Sequence, residues 1–270
     1  MSLAETLHRV PRTNGLVALE RRGPDARELS SWRLRLGVGD TASFELAEEE
    51  TVVVLQRGVG TWTVGERSWP VDREDVFAEP ATALLLPPGN RLDVTATREL
   101  EAILISAPSP PDPEAEPVLI APSDVEVLDR GRDGFRREIH NLFVSDPHGR
   151  RLLVGETFNP AGCWSSFPPH KHDGKNGEPT LEEVYHYRID PPQGFGHQML
   201  YTRQDAHGWV EEVSHVVRDG DAVLIPYGYH PVSAPPGYRL YYLWALAGEE
   251  RRLALFEDPD HAWVGERLGA

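Results

Sequence analysis

Glycine and proline recur so often along this chain, 24 of each in 270 residues, that few stretches are left for a helix of ordinary length. Proline lacks the N–H that a helix interior needs, and glycine costs about 1 kcal/mol there relative to alanine. Between the breaks lie short runs rich in valine, leucine, isoleucine and aromatics. Runs of that kind bounded by turn chemistry read as strands, so the expected fold class is all-β. The first half offers strands at 16–20, 32–38, 51–56, 60–64, 81–86, 91–97 and 100–106, with Arg57-Gly58, Val64-Gly65 and Pro87-Pro88-Gly89 as turns. The second half offers 136–144, 152–158, 183–189, 196–202, 209–217, 222–225, 231–234 and 239–246. The opening stretch from Ala4 to Val10 and the tail around Trp263 read as helical or irregular.

Residues 107–117 carry five prolines, which cannot donate to a sheet ladder. The segment reads as a stiff, acidic linker between domains. The expected division is an N-terminal domain at 1–107, a linker at 108–117 and a C-terminal domain at 118–270. The two halves resemble each other. Residues 83–91, Ala-Leu-Leu-Leu-Pro-Pro-Gly-Asn-Arg, match 222–230, Ala-Val-Leu-Ile-Pro-Tyr-Gly-Tyr-His, and each is followed by a polar and then an apolar strand. A duplicated small barrel accounts for this and closes the sheet edges that an open sheet would expose.

The repeat is asymmetric in its chemistry. In an extended strand His170 and His172 project to one side and Lys171 to the other. Glu183 follows on the next strand-like run, and His230 follows the turn Pro226-Tyr227-Gly228. Three imidazoles and one carboxylate on neighbouring strands suit a divalent cation and leave room for water or substrate. A lone His-x-His beside lysine and aspartate is more commonly a solvated turn; the combination in one barrel is what carries the reading. Where the second half has His230 the first has Arg91, and where the second has Glu183 the first has the valines at 52–54. Only the second half is expected to hold a metal.

The formal net charge of −16 disfavours nucleic acid and anionic membrane as partners, because phosphate binding needs a basic footprint. Cys163 is the single cysteine, so no intrachain disulfide forms, and a reducing cytoplasm fits. Residues 1–8 lack a signal-peptide pattern, and no apolar run reaches the length of a membrane span. His8, His148 and His207, among glycines, prolines and charges, read as solvated; His140 and His215 lie in strands and read as core residues.

A His-x-His, Glu and His set in one half of a duplicated barrel resembles the bicupins, two tandem cupin-like jelly-roll barrels. The wording of the second half is similar to one branch of them, the 5-deoxy-glucuronate isomerase family of myo-inositol catabolism, related to uronate ketol-isomerases. The stretches that carry the resemblance are Phe158-Asn-Pro-Ala-Gly162, Pro169-His-Lys-His-Asp173, Leu181-Glu-Glu183, Arg188-Ile-x-Pro-Pro-Gln-Gly-Phe195, Gly228-Tyr-His-Pro-Val-Ser-Ala234 and Asp258-Pro-Asp-His261. The resemblance implies conversion of 5-deoxy-D-glucuronate to 5-dehydro-2-deoxy-D-gluconate, with His170, His172, Glu183 and His230 as metal ligands. Ten residues, Asp173 to Glu182, separate His172 from Glu183, where cupins usually have three or four. That insert reads as a flexible loop and leaves Glu182 and Glu183 as alternatives. Glu183 is preferred because it keeps Tyr185 and Tyr187 on its own face.

Moving a carbonyl from C1 to C2 takes a proton from C2 and returns one to C1 through an enediolate. A divalent ion stabilises that developing charge. Zinc leads from ligand type, with manganese, iron or nickel as alternatives, and no nucleotide-binding glycine motif is present. The expected acid–base residues are Tyr185 and Tyr229. A uronate-like sugar acid also calls for a cation and hydroxyl partners. Gln198, Lys171 and Arg188 are the expected substrate-binding residues, with Arg137 and Arg203 as further candidates. A cupin dioxygenase using a redox metal shares this ligand set, and a non-catalytic sugar-binding cupin shares the fold. A homo-oligomer is the base-rate expectation.

Overall fold

A computed structural model describes residues 2–9, 11–203 and 209–268. The described residues are almost wholly in strands, with three short 3-10 turns and one helix, Trp263–Leu268, among them. It divides into two compact units. One comprises residues 10–126 and 142–154, the other residues 1–9, 127–141 and 155–270.

In the first unit a nine-stranded sheet runs Val118–Ile120, Ala83–Leu86, Glu49–Val64, Leu100–Pro108, Ser30–Leu36, Gly15–Glu20, with Thr41–Phe44, Leu92–Ala96 and Arg67–Arg73 off that path. Its organising strand is Glu49–Val64. Val52, Val53, Val54 and Leu55 are fully buried, and burying each side chain stabilises by about 1.5–3 kcal/mol. Val53 and Leu55 pack into one core with Trp62, Leu84, Leu92, Val94 and Leu104. The turn expected at Arg57-Gly58 is instead a register shift inside this one strand. Gly58 has φ +105°, and a Cβ there would lie 2.0 Å from the Glu99 carbonyl oxygen. A strand with such a bulge bends into two sheet directions, which two separate strands and a turn would not do. Arg67–Arg73 contains Pro70 and pairs with one neighbour only, the situation in which a strand tolerates proline.

The boundaries differ from those expected from the prolines. Past residues 109–117 the chain pairs Val118–Ile120 with Ala83–Leu86 and so stays in the first unit. Residues 142–154 belong there as well: the buried Glu50 carboxylate accepts hydrogen bonds from the backbone N–H groups of Arg150, Arg151 and Leu152 at 2.7, 3.1 and 2.9 Å. The N-terminal stretch goes to the second unit. Leu7–His8 pairs with Ala222–Val223, and Leu3 is fully buried. These exchanges come from long-range pairing, which local composition does not encode.

The second unit has a seven-stranded sheet in the order Leu7–His8, Ala222–Ile225, Leu181–Asp190, Arg239–Gly248, Leu153–Asn159, Arg137–Phe143, Glu126–Arg130. A four-stranded sheet runs Trp164–Ser165, Val232–Ser233, Gly196–Arg203, Trp209–Val217. The pair His170–Lys171 and Phe256–Glu257 brings the C-terminal segment back beside the His-x-His stretch. No helix among the described residues is long and apolar enough to cross a membrane.

Candidate metal centre

Four neighbouring strands of the seven-stranded sheet present one continuous face. Register pairs Glu183 with Leu246, Tyr185 with Trp244 and Tyr187 with Tyr242. Alternation with period two puts these residues on the same side. Thr157, Ile139 and Arg137 continue the face on the next two strands, and all of these but Tyr187 line a cavity of about 120 Å³ with Ser166, His170 and His172. Gly155 is required there: a Cβ would approach Trp244 Cζ2 to 2.3 Å.

Three donor residues meet beside this cavity. His172 Nε2 lies 3.0 Å from Glu183 Oε2 and His230 Nε2 lies 3.3 Å from the same oxygen. All three are buried, with ligating atoms within 4.8 Å of one another, the one such group among the described residues. His170 stands beside them, its ring edge-on to His230 at 4.8 Å. Of the two adjacent carboxylates it is Glu183, not Glu182, that meets the imidazoles. Each ring is oriented through its other nitrogen: His172 Nδ1–H donates to the Leu181 carbonyl at 2.8 Å, and His230 Nδ1–H to the Gly228 carbonyl at 3.0 Å. His230 therefore turns its Nε2 lone pair to the cluster, the tautomer a metal ligand needs, and His172 turns Nε2 to the same point, where it hydrogen-bonds Glu183. His230 Nε2 is buried without a hydrogen-bond partner, a costly state for a nitrogen that has nothing to ligate. The donor set fits a divalent cation bound by nitrogen and oxygen.

The electrostatics agree. Burial, reinforced by the charges of His172 and Arg137, pushes His170 down to about 3. Burial also pushes His230 to about 3, partly offset by Glu183. Both imidazoles are neutral, ready to ligate, at any physiological pH. Burial opposes charge on His172 too, but its bond to Glu183 and that carboxylate's charge outweigh it, and the pKa is raised. Glu183 thus strengthens the site's attraction for a positive charge.

The polypeptide returns from His172 to Glu183 through a closed loop rather than a loose one. Lys171 Nζ is bonded to Asp173 and, at 2.7 Å, to Glu178. Asn176 N–H donates to Glu178, and Leu181 N–H to the His172 carbonyl at 2.8 Å. Lys171 points away from the histidines, as alternation requires, and spends its charge on this loop.

Other expected site residues are also placed elsewhere. Arg188 pairs with Asp219 at 2.9 Å. Gln198 Nε2 donates to the His230 and Pro231 carbonyls at 2.8 and 3.3 Å and its oxygen accepts from Tyr187, so it braces the backbone that carries His230. Tyr229 stacks on Tyr201 with ring centroids 4.9 Å apart. It lines a separate cleft of about 420 Å³ together with Lys171 and Arg203; neighbouring residues alternate, so His230 and Tyr229 cannot share a face. Arg203 is tied to Asp258 and Asp260. Lys171, Arg188, Gln198 and Tyr229, expected as substrate-binding or acid–base residues, do not line the histidine cavity.

Tyr185 does line it. Its ring stacks on Tyr242 at 4.2 Å, and its hydroxyl bonds Ser166 Oγ at 2.9 Å. Burial, then the charge of Glu183, holds the phenol well above its ordinary pKa. Tyr242 and Ser166 were invisible as site residues: Tyr242 sits in an apolar strand, and Ser166 has φ +48°, which nothing local in the sequence signals. Of the remaining histidines, His148 is exposed and His8 half-buried. His215 is buried, with a Leu3 carbonyl partner at 3.0 Å. His140 is held by Glu138 instead of backbone. His207 lies outside the described residues.

The KduI/IolB family model matches residues 11–264. The chain belongs to the KduI/IolB family. Relatives in it named 5-deoxy-glucuronate isomerase include one from Geobacillus kaustophilus, 39% identical over 236 residues, covering 86% of this chain and 83% of the relative. Another is from Bacillus subtilis strain 168, 35% identical over 240 residues, covering 87% and 86%. A crystal structure of an IolB-like protein from Salmonella typhimurium superposes with a TM-score of 0.86 at 30% identity, covering 97% of this chain and 99% of that one. Oxalate decarboxylase from Bacillus subtilis superposes over 100% of this chain and 82% of its own, with a TM-score of 0.61 at 14% identity, a likeness of fold. The all-β bicupin class read from the repeat is the class of this KduI/IolB chain.

Proposed function

We propose that the protein is a metal-dependent 5-deoxy-glucuronate isomerase that yields 5-dehydro-2-deoxy-D-gluconate through an enediol, in the cytoplasm. Its curated relatives carry that name along most of both chains. The observation that carries the chemistry is the Glu183 carboxylate facing two buried imidazoles, each turned to it through Nε2, at the edge of a cavity. His172, Glu183 and His230 hold the cation, with His170 as the fourth ligand; zinc leads, and manganese, iron and nickel have the same access to these donors. When bound, the cation supplies Lewis-acid stabilisation of the negative charge that develops on the C1 and C2 oxygens.

The chain's own residues do the rest. The C2 proton leaves to solvent; Tyr185, whose phenol stays protonated at neutral pH, donates a hydrogen bond and then a proton to C1 of the enediol, is reprotonated from solvent, and is oriented by Ser166. The aromatic side chains of Tyr185, Tyr242 and Trp244 form one wall of the cavity. A homo-oligomer accompanies this reading as a base-rate expectation, read by light scattering.

The test is turnover of 5-deoxy-D-glucuronate in heavy water followed by NMR. The proposal expects the ketose product with solvent deuterium at the carbon that was the aldehyde. Absence of turnover on this and every other uronate, or oxygen uptake during product formation, overturns it.

A further inference from the structure

We infer that Arg137 binds the substrate's carboxylate, making the cavity selective for sugar acids over neutral aldoses; the inference rests on the isomerase reading and names the specificity residue of that same site. Among the described residues, Arg137 is the only lysine or arginine lining the histidine cavity. Every other basic residue considered for this role is spent on its own fold: Lys171 on Asp173 and Glu178, Arg188 on Asp219, Arg203 on Asp258 and Asp260. The Arg137 guanidinium has one hydrogen bond, Nη1 to the Phe135 carbonyl at 3.2 Å, and no ion pair. The charge of Glu257, an exposed residue, reaches it without an ion pair.

Its placement is built. The strand Arg137–Phe143 alternates, so Arg137 and Ile139 face the cavity while Glu138 turns to the opposite side and bonds His140 at 2.8 Å. The turn before it leaves room for the guanidinium: Gly131 has φ +65°, and a Cβ there would lie 2.7 Å from Arg137 Nη1. A half-buried arginine with most of its five N–H donors uncommitted is matched by a carboxylate that takes two parallel hydrogen bonds. In 5-deoxy-glucuronate the carboxylate is at the end of the chain opposite the reacting aldehyde. Binding it at Arg137 would place the aldehyde end toward His170, His172 and Glu183, which line the same cavity.

The experiment compares zinc-loaded wild type, Arg137→Gln, Arg137→Lys and the exposed neighbour control Arg136→Gln. Kinetics are measured on 5-deoxy-glucuronate and on 5-deoxy-glucose, which has a hydroxymethyl group where the acid has its carboxylate. Calorimetry measures binding of D-gluconate, which has a carboxylate and no aldehyde, against D-glucitol. The expected result is a tenfold or greater rise in KM for the acid in Arg137→Gln, a much smaller kcat effect, partial rescue by Arg137→Lys and no change in Arg136→Gln. The acid-to-neutral preference and the gluconate affinity fall together, while bound zinc stays the same. Equal losses on acid and neutral sugars, or unaltered gluconate binding in Arg137→Gln, overturn the inference. If wild type turns over no uronate, the isomerase reading has failed; loss of gluconate binding in Arg137→Gln alone still supports a carboxylate site, and no gluconate binding by wild type removes it.

Discussion

His230 Nε2 and Glu183 Oε2 face each other at 3.3 Å in a buried site, and the nitrogen has no hydrogen-bond partner. Two residues 47 positions apart are brought together by neighbouring strands, Leu181–Asp190 and Ala222–Ile225, and by the glycine turn before the histidine. Gly228 has φ +87°, and a Cβ there would lie 2.6 Å from the Tyr201 carbonyl oxygen. Removing either donor should empty the site. Glu183→Gln and His230→Ala are each expected to lower zinc content and kcat/KM by about a hundredfold or more, read by elemental analysis and initial rates.

The tyrosines separate two roles that sequence alone left together. Tyr185→Phe removes a protonated hydroxyl inside the cavity and should lower kcat by about 10²–10⁴ with bound metal unchanged. Tyr229→Phe alters a ring on a different cleft and should leave kcat within about twofold. The reverse order of effects would move the acid–base chemistry out of the histidine cavity.

Gln198 braces the backbone that carries His230. Gln198→Leu strands the His230 and Pro231 carbonyls and the Tyr187 hydroxyl, three polar groups in a buried place. The expected cost is about 1–3 kcal/mol of stability, with metal affinity down about 10–100-fold and KM little altered at saturating metal. Urea denaturation and a metal titration read the two effects separately.

The loop from Asp173 to Thr180 should be acid-sensitive. Burial pushes the carboxyls of Asp173 and Glu178 up, but their bonds to Lys171 outweigh it, and both end below their ordinary range. A carboxyl whose folded pKa is depressed contributes stability that is present above its unfolded pKa, near 4, and is lost as pH falls through the lower folded value. Hydrogen exchange of this loop is therefore expected to be slow and level from pH 7 to 5, on the chemically corrected scale, and to accelerate below about pH 4. Lys171→Met takes the cation from the buried Glu178 carboxylate and leaves Asp173 with only the exposed Lys175, and should loosen the loop already at pH 7.

What the sequence made legible was what alternation and turn chemistry encode. The strands at 209–217 and 222–225 stand where the residues place them, and the facing of His170, His172 and Lys171 follows from period two. The pairing of Phe256–Glu257 with His170–Lys171 was not legible, because a two-residue strand has no pattern of its own. Arg67–Arg73 was hidden by its charges and by Pro70, which only a one-sided neighbour permits. At the site the metal cluster was legible because its residue types are rare in strands. Arg137 was merely one arginine among many, since which basic side chains are neutralised by their own fold depends on contacts such as Arg188 with Asp219.

The most direct measurement is to strip the chain with a chelator, add zinc or manganese back in steps, and follow isomerisation of 5-deoxy-glucuronate against metal bound per chain. The account predicts no turnover without metal and activity rising in proportion to occupancy up to one ion per chain, abolished in Glu183→Gln. Full turnover by the stripped chain, or activity that ignores occupancy, would contradict it.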